Sequence, residues 1–304
     1  MHIGKRVRCV PFGTRTPFPR CLDYAVDLAD DVANEDHTSP QNHASSPPSS
    51  FTACGVRVID LHCHLLPNID DGPETIDISL KMAQSAVADG ITTVACTPHI
   101  LPGVYPNQGP GIRQAVKSLQ SALDDANIAL RLVTGADVHI APDLVDGLRS
   151  GRLLSLADSR YVLVEPPHHV APARMGDLFF NLVVAGYTPV LTHPERLAWI
   201  DGHYGDLQRL VRAGAWMQVT AGSLEGSFGR GAQKWAHRML DEGLVHILAT
   251  DAHDLKQRAP ILSRGRELAA KRVGESEAEH LVLTRPLGIL NDAIPGTLPM
   301  PSTV

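Results

Sequence analysis

Two histidines one residue apart, His62 and His64, are the first residues whose type and spacing could do chemistry. They end the apolar run Val58-Ile59-Asp60-Leu61, which is typical of a buried strand. Because alternate side chains of a strand share a face, both imidazoles would project together from its carboxyl end, where parallel α/β folds place active sites. Two imidazoles directed at one point indicate a metal ion, although a lone His-x-His also occurs by chance on exposed strands.

Further candidate ligands follow most of the other apolar runs. The residues predicted to bind metal are His62, His64, Asp71, His99, Asp137, Glu165, His193, Asp251 and His253. Buried charge is costly unless it is paired or coordinated, so a ring of carboxylates and imidazoles is stable mainly when divalent cations neutralise it. So many ligands exceed what one ion takes, and the sequence predicts two or three ions. Imidazole and carboxylate ligands without thiolate suit Mn, Fe or Zn more than Ca or Mg.

Some of these histidines and carboxylates have structural alternatives. Glu165 could instead cap a helix or pair with an arginine, and Gly135-Ala136-Asp137 also reads as an ordinary turn. The remaining histidines of the barrel region have no partner at a strand end and are predicted to be surface or core residues: His139, His168, His169, His203, His237, His246 and His280.

The predicted ligands need a scaffold in which many strand ends converge. Short β-rich apolar runs lie at 57–61, 91–96, 130–137, 160–165, 188–192, 215–220 and 245–250. Helical patterns lie at 75–89, 111–126, 142–149, 172–185, 204–213, 231–242, 258–271 and 276–283, and several of them end in glycine. This alternation predicts an α/β fold with a parallel sheet. A closed barrel is favoured over an open doubly wound sheet, because only a ring lets so many strand ends meet at one pocket.

Composition divides the chain into three parts. Residues 1–54 are predicted to be a disordered leader, because the segment 34–50 has almost no large apolar side chain. Residues 55–290 would form the barrel domain. Residues 291–304 would form a C-terminal tail, of which the Pro-rich part 293–304 is expected to be loose.

Bulk properties exclude several function classes. A formal net charge of −6 and an aromatic content of 5% argue against nucleic-acid binding. The chain has five cysteines and no Cys-x-x-Cys pair, which favours a reducing cytoplasm over a disulfide scaffold. No apolar segment is long enough to insert into a membrane, and no secretory signal is expected.

With these residues in place, the chain resembles the PHP (polymerase and histidinol phosphatase) superfamily. Within it, the chain is similar to the bacterial metal-dependent protein tyrosine phosphatases encoded with capsule and exopolysaccharide systems. The matching segments span about 57–285 and are Asp60-Leu-His-Cys-His64, Asp70-Asp-Gly-Pro73, Thr97-Pro-His99, Gly135-Ala-Asp137, Val164-Glu165, Thr192-His-Pro-Glu-Arg196, Thr220-Ala-Gly-Ser223 through Phe228-Gly229, and Thr250-Asp-Ala-His253.

The resemblance implies a distorted seven-stranded (β/α) barrel with a manganese-preferring site for three ions. It also implies hydrolysis of phosphotyrosine on a partner protein, typically a bacterial tyrosine autokinase that controls polysaccharide export. Two positions depart from the family pattern. The family usually has Glu where Asp137 stands, and it often has His or Arg where Ile100 stands.

Phosphate monoester hydrolysis requires an activated water and neutralisation of the phosphate oxygens. Arg196 and Arg258 are the predicted catalytic residues, because a guanidinium can bind phosphate in a bidentate manner. A surface salt bridge is the alternative role for each arginine. Gly222-Ser223 and Phe228-Gly229 could let the substrate approach, although glycine-rich segments are often only turns.

Three alternative functions stay open. The segment Cys9-Val-Pro-Phe-Gly-Thr-Arg15 has the Cys-x5-Arg spacing of cysteine-based phosphatases, but Pro11 removes a backbone donor and Pro17 and Pro19 disfavour the helix that such a loop needs. The chain could also hydrolyse a different, small phosphomonoester. A metal-binding scaffold that docks a kinase tail without catalysis is the third alternative. Homo-oligomerisation is left open as well.

Overall fold

Apolar runs form the strands, as the sequence predicts. The computed structural model describes residues 57–303, so the leader predicted over 1–54 and the Cys9–Arg15 motif lie outside the described residues. Between neighbouring strands every pairing in this range is parallel. The strands are β1 (Val58–Cys63), β2 (Ile91–Cys96), β3 (His99–Ile100), β4 (Arg131–Thr134), β5 (Asp137–His139), β6 (Tyr161–Glu165), β7 (Thr188–Thr192), β8 (Trp216–Thr220) and β9 (Ile247–Ala249).

The strands form two sheets, one of three strands in the order β1-β2-β4 and one of six in the order β3-β5-β6-β7-β8-β9. The predicted α/β fold with parallel strands is confirmed. The segments outnumber the expected seven strands because the chain leaves the smaller sheet and enters the larger one twice. Thr97-Pro98 separates β2 from β3, and Gly135-Ala136 separates β4 from β5. Proline has no N–H for a strand ladder and glycine weakens a strand, which explains both interruptions.

Helices connect the strands close to the predicted positions. They are α1 (Ile76–Ala88), α2 (Gly109–Asp125), α3 (Leu144–Arg149), α4 (Met175–Val184), α5 (Ile200–Arg212), α6 (Ala221–Glu225), α7 (Gly229–Asp241), α8 (Ser263–Val273), α9 (Glu275–Glu279) and α10 (Arg285–Leu290). A π-helical segment, His280–Thr284, joins α9 to α10. Gly90 and Gly214, after α1 and α5, have φ of 94° and 99°, as expected of glycines that end helices. None of the helices in the described range is long and apolar enough to cross a membrane.

The two faces of the strands bury different sets of apolar side chains. One face packs with helix residues such as Met82, Leu119 and Leu182. The other face forms a second cluster, to which most strands contribute: Ile59, Leu61, Ala95, Val133, Leu163, Val190, Trp216 and Ile247. Leu163 and Glu165 are two residues apart and therefore share a face. The second cluster thus leads along the strands toward the predicted ligands at their carboxyl ends.

The end of the chain is held against the domain, which differs from the loose tail expected over 293–304. Arg285 is fully buried, forms an ion pair with Glu277 (Nη1 to Oε1, 2.8 Å) and donates from Nε to the carbonyl oxygen of Pro299 (2.6 Å). Leu298 packs on the second apolar cluster. Proline-rich composition predicted looseness, but a buried guanidinium supplies specific partners for the tail backbone.

Candidate metal centre

The two histidines that end β1 are completely buried and lie side by side. Their Nε2 atoms are 3.3 Å apart. The other ring nitrogen of each has its own partner, since His62 Nδ1 is 3.0 Å from Gln218 Oε1 and His64 Nδ1 is 2.8 Å from Asp70 Oδ2. Partners of this kind orient an imidazole so that its second nitrogen can bind metal. The pairing of β1 with β2 is irregular between Asp60 and Cys63. This irregularity lies where the strand passes from apolar residues to the two histidines.

The loop after β1 supplies two carboxylates. Asp70 contacts Nδ1 of His64, and Asp71 faces the cluster of predicted ligands. Asp70 accepts from the backbone N–H of Gly72 (3.0 Å) as well as contacting His64. Gly72 permits this approach, because a Cβ there would lie 2.6 Å from the carbonyl oxygen of His64. Asp71 faces the centre, with Oδ1 3.3 Å from His253 Nε2. Asp71 therefore lies where a metal ligand is predicted, whereas Asp70 lies behind His64 and contacts its other ring nitrogen.

Two buried carboxylates, Asp137 and Glu165, lie at the ends of the third and fourth predicted runs. Glu165 Oε2 is 3.1 Å from His99 Nδ1. Asp137 is fully buried, with Oδ2 3.5 Å from His62 Nε2 and 3.7 Å from His99 Nδ1. Neither Asp137 oxygen has a hydrogen-bond partner in the described part of the chain. A buried carboxylate without a hydrogen bond is costly, so this site fits a cation better than it fits the turn considered from the sequence.

The remaining predicted ligands follow β7 and β9, and two of them lie on strained backbone. His193 and Asp251 have φ of 34° and 50°, which non-glycine residues rarely adopt and which is common at functional sites. His193 Nε2 lies 3.6 Å from Glu165 Oε1, and Asp251 Oδ1 lies 3.3 Å from His62 Nε2. His253 Nδ1 is 3.7 Å from the same Asp251 oxygen. Residues that are far apart in the sequence therefore meet at His62.

Asp60 and Cys63, the non-ligand residues of the first motif, have structural roles. Asp60 accepts from the backbone N–H (3.0 Å) and the hydroxyl of Thr250, and burial raises the pKa of Asp60 to about 6. This contact holds the loop that carries Asp251. Cys63 is buried, and burial raises the pKa of its thiol well above the usual range, which excludes it as a thiolate nucleophile.

The two predicted catalytic arginines converge on one carboxylate oxygen. Arg196 Nη2 and Arg258 Nη2 lie 2.7 Å and 2.6 Å from Asp251 Oδ2. Burial alone would raise the pKa of Asp251, but Arg196, His62 and Arg258 hold it well below its usual range. Arg196 is only 10% exposed and its guanidinium lies 4.7 Å above the ring of Phe228. Both arginines do form ion pairs, but at the edge of the candidate centre and not on an open surface.

Two histidines that the sequence assigned to the surface or core lie at the centre. His139 Nε2 is 2.6 Å from Glu165 Oε2, and His168 Nε2 is 3.2 Å from Glu165 Oε1. His139 carried a signal, since Asp137 and His139 alternate on a strand just as His62 and His64 do. His168 lies in an irregular segment three residues after Glu165, where no strand alternation identifies it. Elsewhere the expectation fits, as His203 pairs with Asp206, His237 with a backbone carbonyl, and buried His246 stacks on Trp216.

Burial and neighbouring charge separate the imidazoles into two groups. Burial lowers the pKa of His62 and of His99, but nearby carboxylates outweigh burial and raise each pKa to about 9. The dominant carboxylate contacts are with Asp251 for His62 and with Glu165 for His99. Burial, followed by Arg196, lowers the pKa of His193 to about 3. Burial, followed by His64, lowers that of His253 to about 4, so both of these imidazoles are neutral donors at pH 7.

All of the predicted ligands belong to groups that could hold a cation. The groups are His64-Asp71-His99-His253, His62-His64-Asp137, His62-His193-Asp251, His99-His139-Glu165 and Glu165-His168-His193, and within each the donor atoms lie within 4.8 Å of one another. Overlapping groups that share His62, His64, His99, His193 and Glu165 fit more than one ion. A parallel α/β fold with such a cluster at its strand ends defines a protein with a candidate metal centre.

Comparison with known proteins identifies the family. Residues 58–291 match the family described as capsular polysaccharide synthesis, CpsB/CapC, and the chain belongs to this family. Tyrosine-protein phosphatase YwqE of Bacillus subtilis (strain 168) is 39% identical over 201 residues, which cover 66% of this chain and 79% of YwqE. Tyrosine-protein phosphatase CpsB of Streptococcus pneumoniae is 25% identical over 242 residues, which cover 78% of this chain and 100% of CpsB.

A solved structure agrees with the sequence comparison. This structure is one of a set of crystal structures of YwqE from Bacillus subtilis and CpsB from Streptococcus pneumoniae, which are described as unique metal-dependent tyrosine phosphatases. It superimposes with a TM-score of 0.76 at 34% identity, covering 81% of this chain and 99% of that chain. The resemblance inferred from the sequence motifs is confirmed.

Proposed function

We propose that this chain is a metal-dependent protein tyrosine phosphatase that hydrolyses phosphotyrosine on a partner protein. The observation that carries the proposal is the buried cluster in which nine predicted ligands from separate strand ends converge. Membership of the CpsB/CapC family supports it, because the relatives YwqE and CpsB are named tyrosine-protein phosphatases. The ligand types support two or three divalent ions, with Mn preferred and Fe or Zn possible.

The residues of the chain would divide the work as follows. Divalent ions bound by the cluster would activate a water molecule and neutralise charge on the phosphate. Arg196 and Arg258 point their guanidinium groups at the same edge of the cluster, where they could bind phosphate oxygens. His193 and His253 are neutral at pH 7 and would hold a metal ion without first losing a proton.

A pocket beside Arg196 supports an aromatic substrate. Its volume is about 440 Å³, and its walls include Ile200, Phe228 and Trp235 as well as Arg196 and His168. Glu195 and Asp201 also line the pocket, and its apolar and aromatic part next to a guanidinium suits a phosphorylated side chain that carries a ring. This arrangement favours phosphotyrosine over a small aliphatic phosphomonoester.

The finer architecture and setting are also proposals. The two sheets would form one barrel of seven strand positions if β2 continues into β3, β4 continues into β5, and β9 closes on β1. Backbone hydrogen bonds from His64 N to Ala252 O (2.9 Å) and from Asp251 N to His62 O (2.7 Å) support that closure. We propose that residues 55–290 form the phosphatase domain, that the protein acts in the cytoplasm, and that its substrate is a bacterial tyrosine autokinase.

The decisive experiment is a phosphotyrosine-peptide assay with metal-stripped, full-length protein. Activity should be absent until a divalent ion is added, and Mn should restore it better than Zn, Fe, Co or Mg. Failure of every ion to restore hydrolysis would contradict the proposal. A protein that binds metal and a phosphorylated kinase tail but hydrolyses nothing would favour the scaffold alternative.

Two comparisons separate the remaining alternatives. Cys9→Ser should leave activity unchanged, whereas activity that survives EDTA and disappears in Cys9→Ser would favour a cysteine-based mechanism. Faster hydrolysis of histidinol phosphate or another small phosphomonoester than of phosphotyrosine peptide would identify a different phosphoesterase.

A further inference from the structure

We propose that His139 is a direct metal ligand, which together with His99 and Glu165 forms a cation site at one end of the cluster. The inference rests on the proposed metal dependence and adds to it a residue that the motif comparison did not include. Asp137 and His139 occupy alternate positions of β5 and therefore share a face. In the parallel pairing of β5 with β6, His139 lies opposite Glu165. Strand register thus places this imidazole beside a predicted ligand.

The donor atoms of this group surround one carboxylate oxygen. His139 Nε2 lies 2.6 Å and His99 Nδ1 lies 3.1 Å from Glu165 Oε2. All three donor atoms are within 4.8 Å of one another. The side chain of His139 is 16% exposed and that of Glu165 is 5% exposed, so the group is shielded from bulk water yet remains reachable. Two imidazoles and a carboxylate are a common ligand set for Zn, Fe or Mn.

Glu165 has more imidazole neighbours than a simple hydrogen bond needs. Its Oε2 faces His99 and His139, whereas its Oε1 faces His168 (3.2 Å) and His193 (3.6 Å). A single carboxylate charge can balance the charge of only one imidazolium, so an ion pair does not explain four imidazole neighbours. Two imidazoles face each oxygen of Glu165, and such a set of donor atoms suits cation binding better than it suits a single ion pair. His139 would then complete the site on the Oε2 side.

A thiolate placed at position 139 reports direct coordination without depending on catalysis. Cobalt(II) bound to a thiolate gives a charge-transfer absorption in the near ultraviolet. We expect this absorption in cobalt-loaded His139→Cys and not in wild type, which contains the same native cysteines. The matched control is His203→Cys, because His203 also pairs with a carboxylate, Asp206 (2.8 Å), but lies on α5 away from the cluster. A folded, cobalt-loaded His139→Cys without the absorption would overturn the proposal.

Metal content provides a second, independent readout. Dialysis against Mn should leave His139→Gln with fewer ions per chain than wild type, or with at least about tenfold weaker binding of one ion. His203→Gln should bind Mn as wild type does. Unchanged stoichiometry and affinity in His139→Gln would refute the role of His139, and this result decides the matter if the cysteine variant does not fold. Failure of wild type itself to bind any metal would instead refute the proposed function.

Discussion

Replacing Phe228 by leucine should weaken hydrolysis, because the ring of Phe228 supports the guanidinium groups proposed to bind phosphate. The Cζ atoms of Arg196 and Arg258 lie 4.7 Å and 5.9 Å from the centre of this ring. Phe228 immediately precedes α7, and Gly222 leaves room for its ring, since a Cβ there would be 3.3 Å from Phe228 Cε2. The ring is half-buried and therefore held by packing.

The size of the effect follows from the burial of Arg196. A cation over an aromatic ring contributes about 0.5–1 kcal/mol when exposed and about 2 kcal/mol when desolvated. Arg196 is only 10% exposed, which places its contact in the upper part of that range, about 1–2 kcal/mol. Arg258 is near the distance limit and should add little. Since about 1.4 kcal/mol corresponds to a factor of ten, Phe228→Leu should lower kcat/KM about 5- to 30-fold.

The assay measures initial rates of manganese-loaded, full-length protein on a phosphotyrosine peptide. Metal content and melting temperature of Phe228→Leu should match wild type, which would show that the ring acts on the arginines and not on the cluster. Phe228→Tyr keeps the ring and should retain activity. Equal kcat/KM for wild type and a folded, metal-replete Phe228→Leu would refute the reasoning, as would an equal loss in Phe228→Tyr.

Three further predictions concern the scaffold. Arg285→Met should destabilise the protein by about 3–5 kcal/mol in urea unfolding, because it leaves Glu277 buried without its partner; an unfolding midpoint like that of wild type would contradict this. Burial, followed by Arg285, lowers the pKa of His246 to about 3 in the folded protein. As the pH falls below about 6.5, His246 therefore becomes protonated in the unfolded chain but not in the folded protein, and the free energy of unfolding decreases. His246→Asn should therefore show a smaller loss of unfolding free energy between pH 6.5 and 5.5, by about 1 kcal/mol, and parallel pH profiles would refute the assignment. Gly72→Ala should reduce metal content at limiting Mn, because its Cβ would lie 2.6 Å from the carbonyl of His64; unchanged content would show that the loop can move without cost.

The candidate ligands could be predicted because each depends on a local pattern. An apolar run identifies a buried strand, and the polar residue that follows lies at its carboxyl end. Every parallel strand delivers its end to the same side of the fold, so local patterns alone bring His62, Glu165 and Asp251 to one place. The same argument extends to His139, which shares the strand face of Asp137. His139 stands outside the sequence motifs, and only the alternation of the strand identifies it.

Other features depend on contacts that no local pattern encodes. The tail is held by Arg285, whose burial depends on Glu277 and on the backbone of Pro299. A Pro-rich composition predicts a loose segment. It does not indicate whether a guanidinium from another part of the chain will bind the carbonyl groups of that segment. His168 likewise contacts Glu165 from an irregular segment that follows Pro166 and Pro167, and periodicity does not describe such a segment.

Asp60 belongs to a local sequence motif and also makes a long-range contact that the motif does not indicate. In the sequence it stands beside His62 and His64 and supports their interpretation as ligands. In the structure it contacts Thr250, 190 positions later, and the neighbouring backbone joins Asp251 N to His62 O at 2.7 Å. The centre therefore depends on the contact between β1 and the segment that follows β9. A substitution at Asp60 would displace Asp251 by removing the hydrogen bonds to Thr250, and it would not remove a predicted ligand. The sequence motifs do not make this distinction, because Asp60 and Asp251 both stand beside histidines in them.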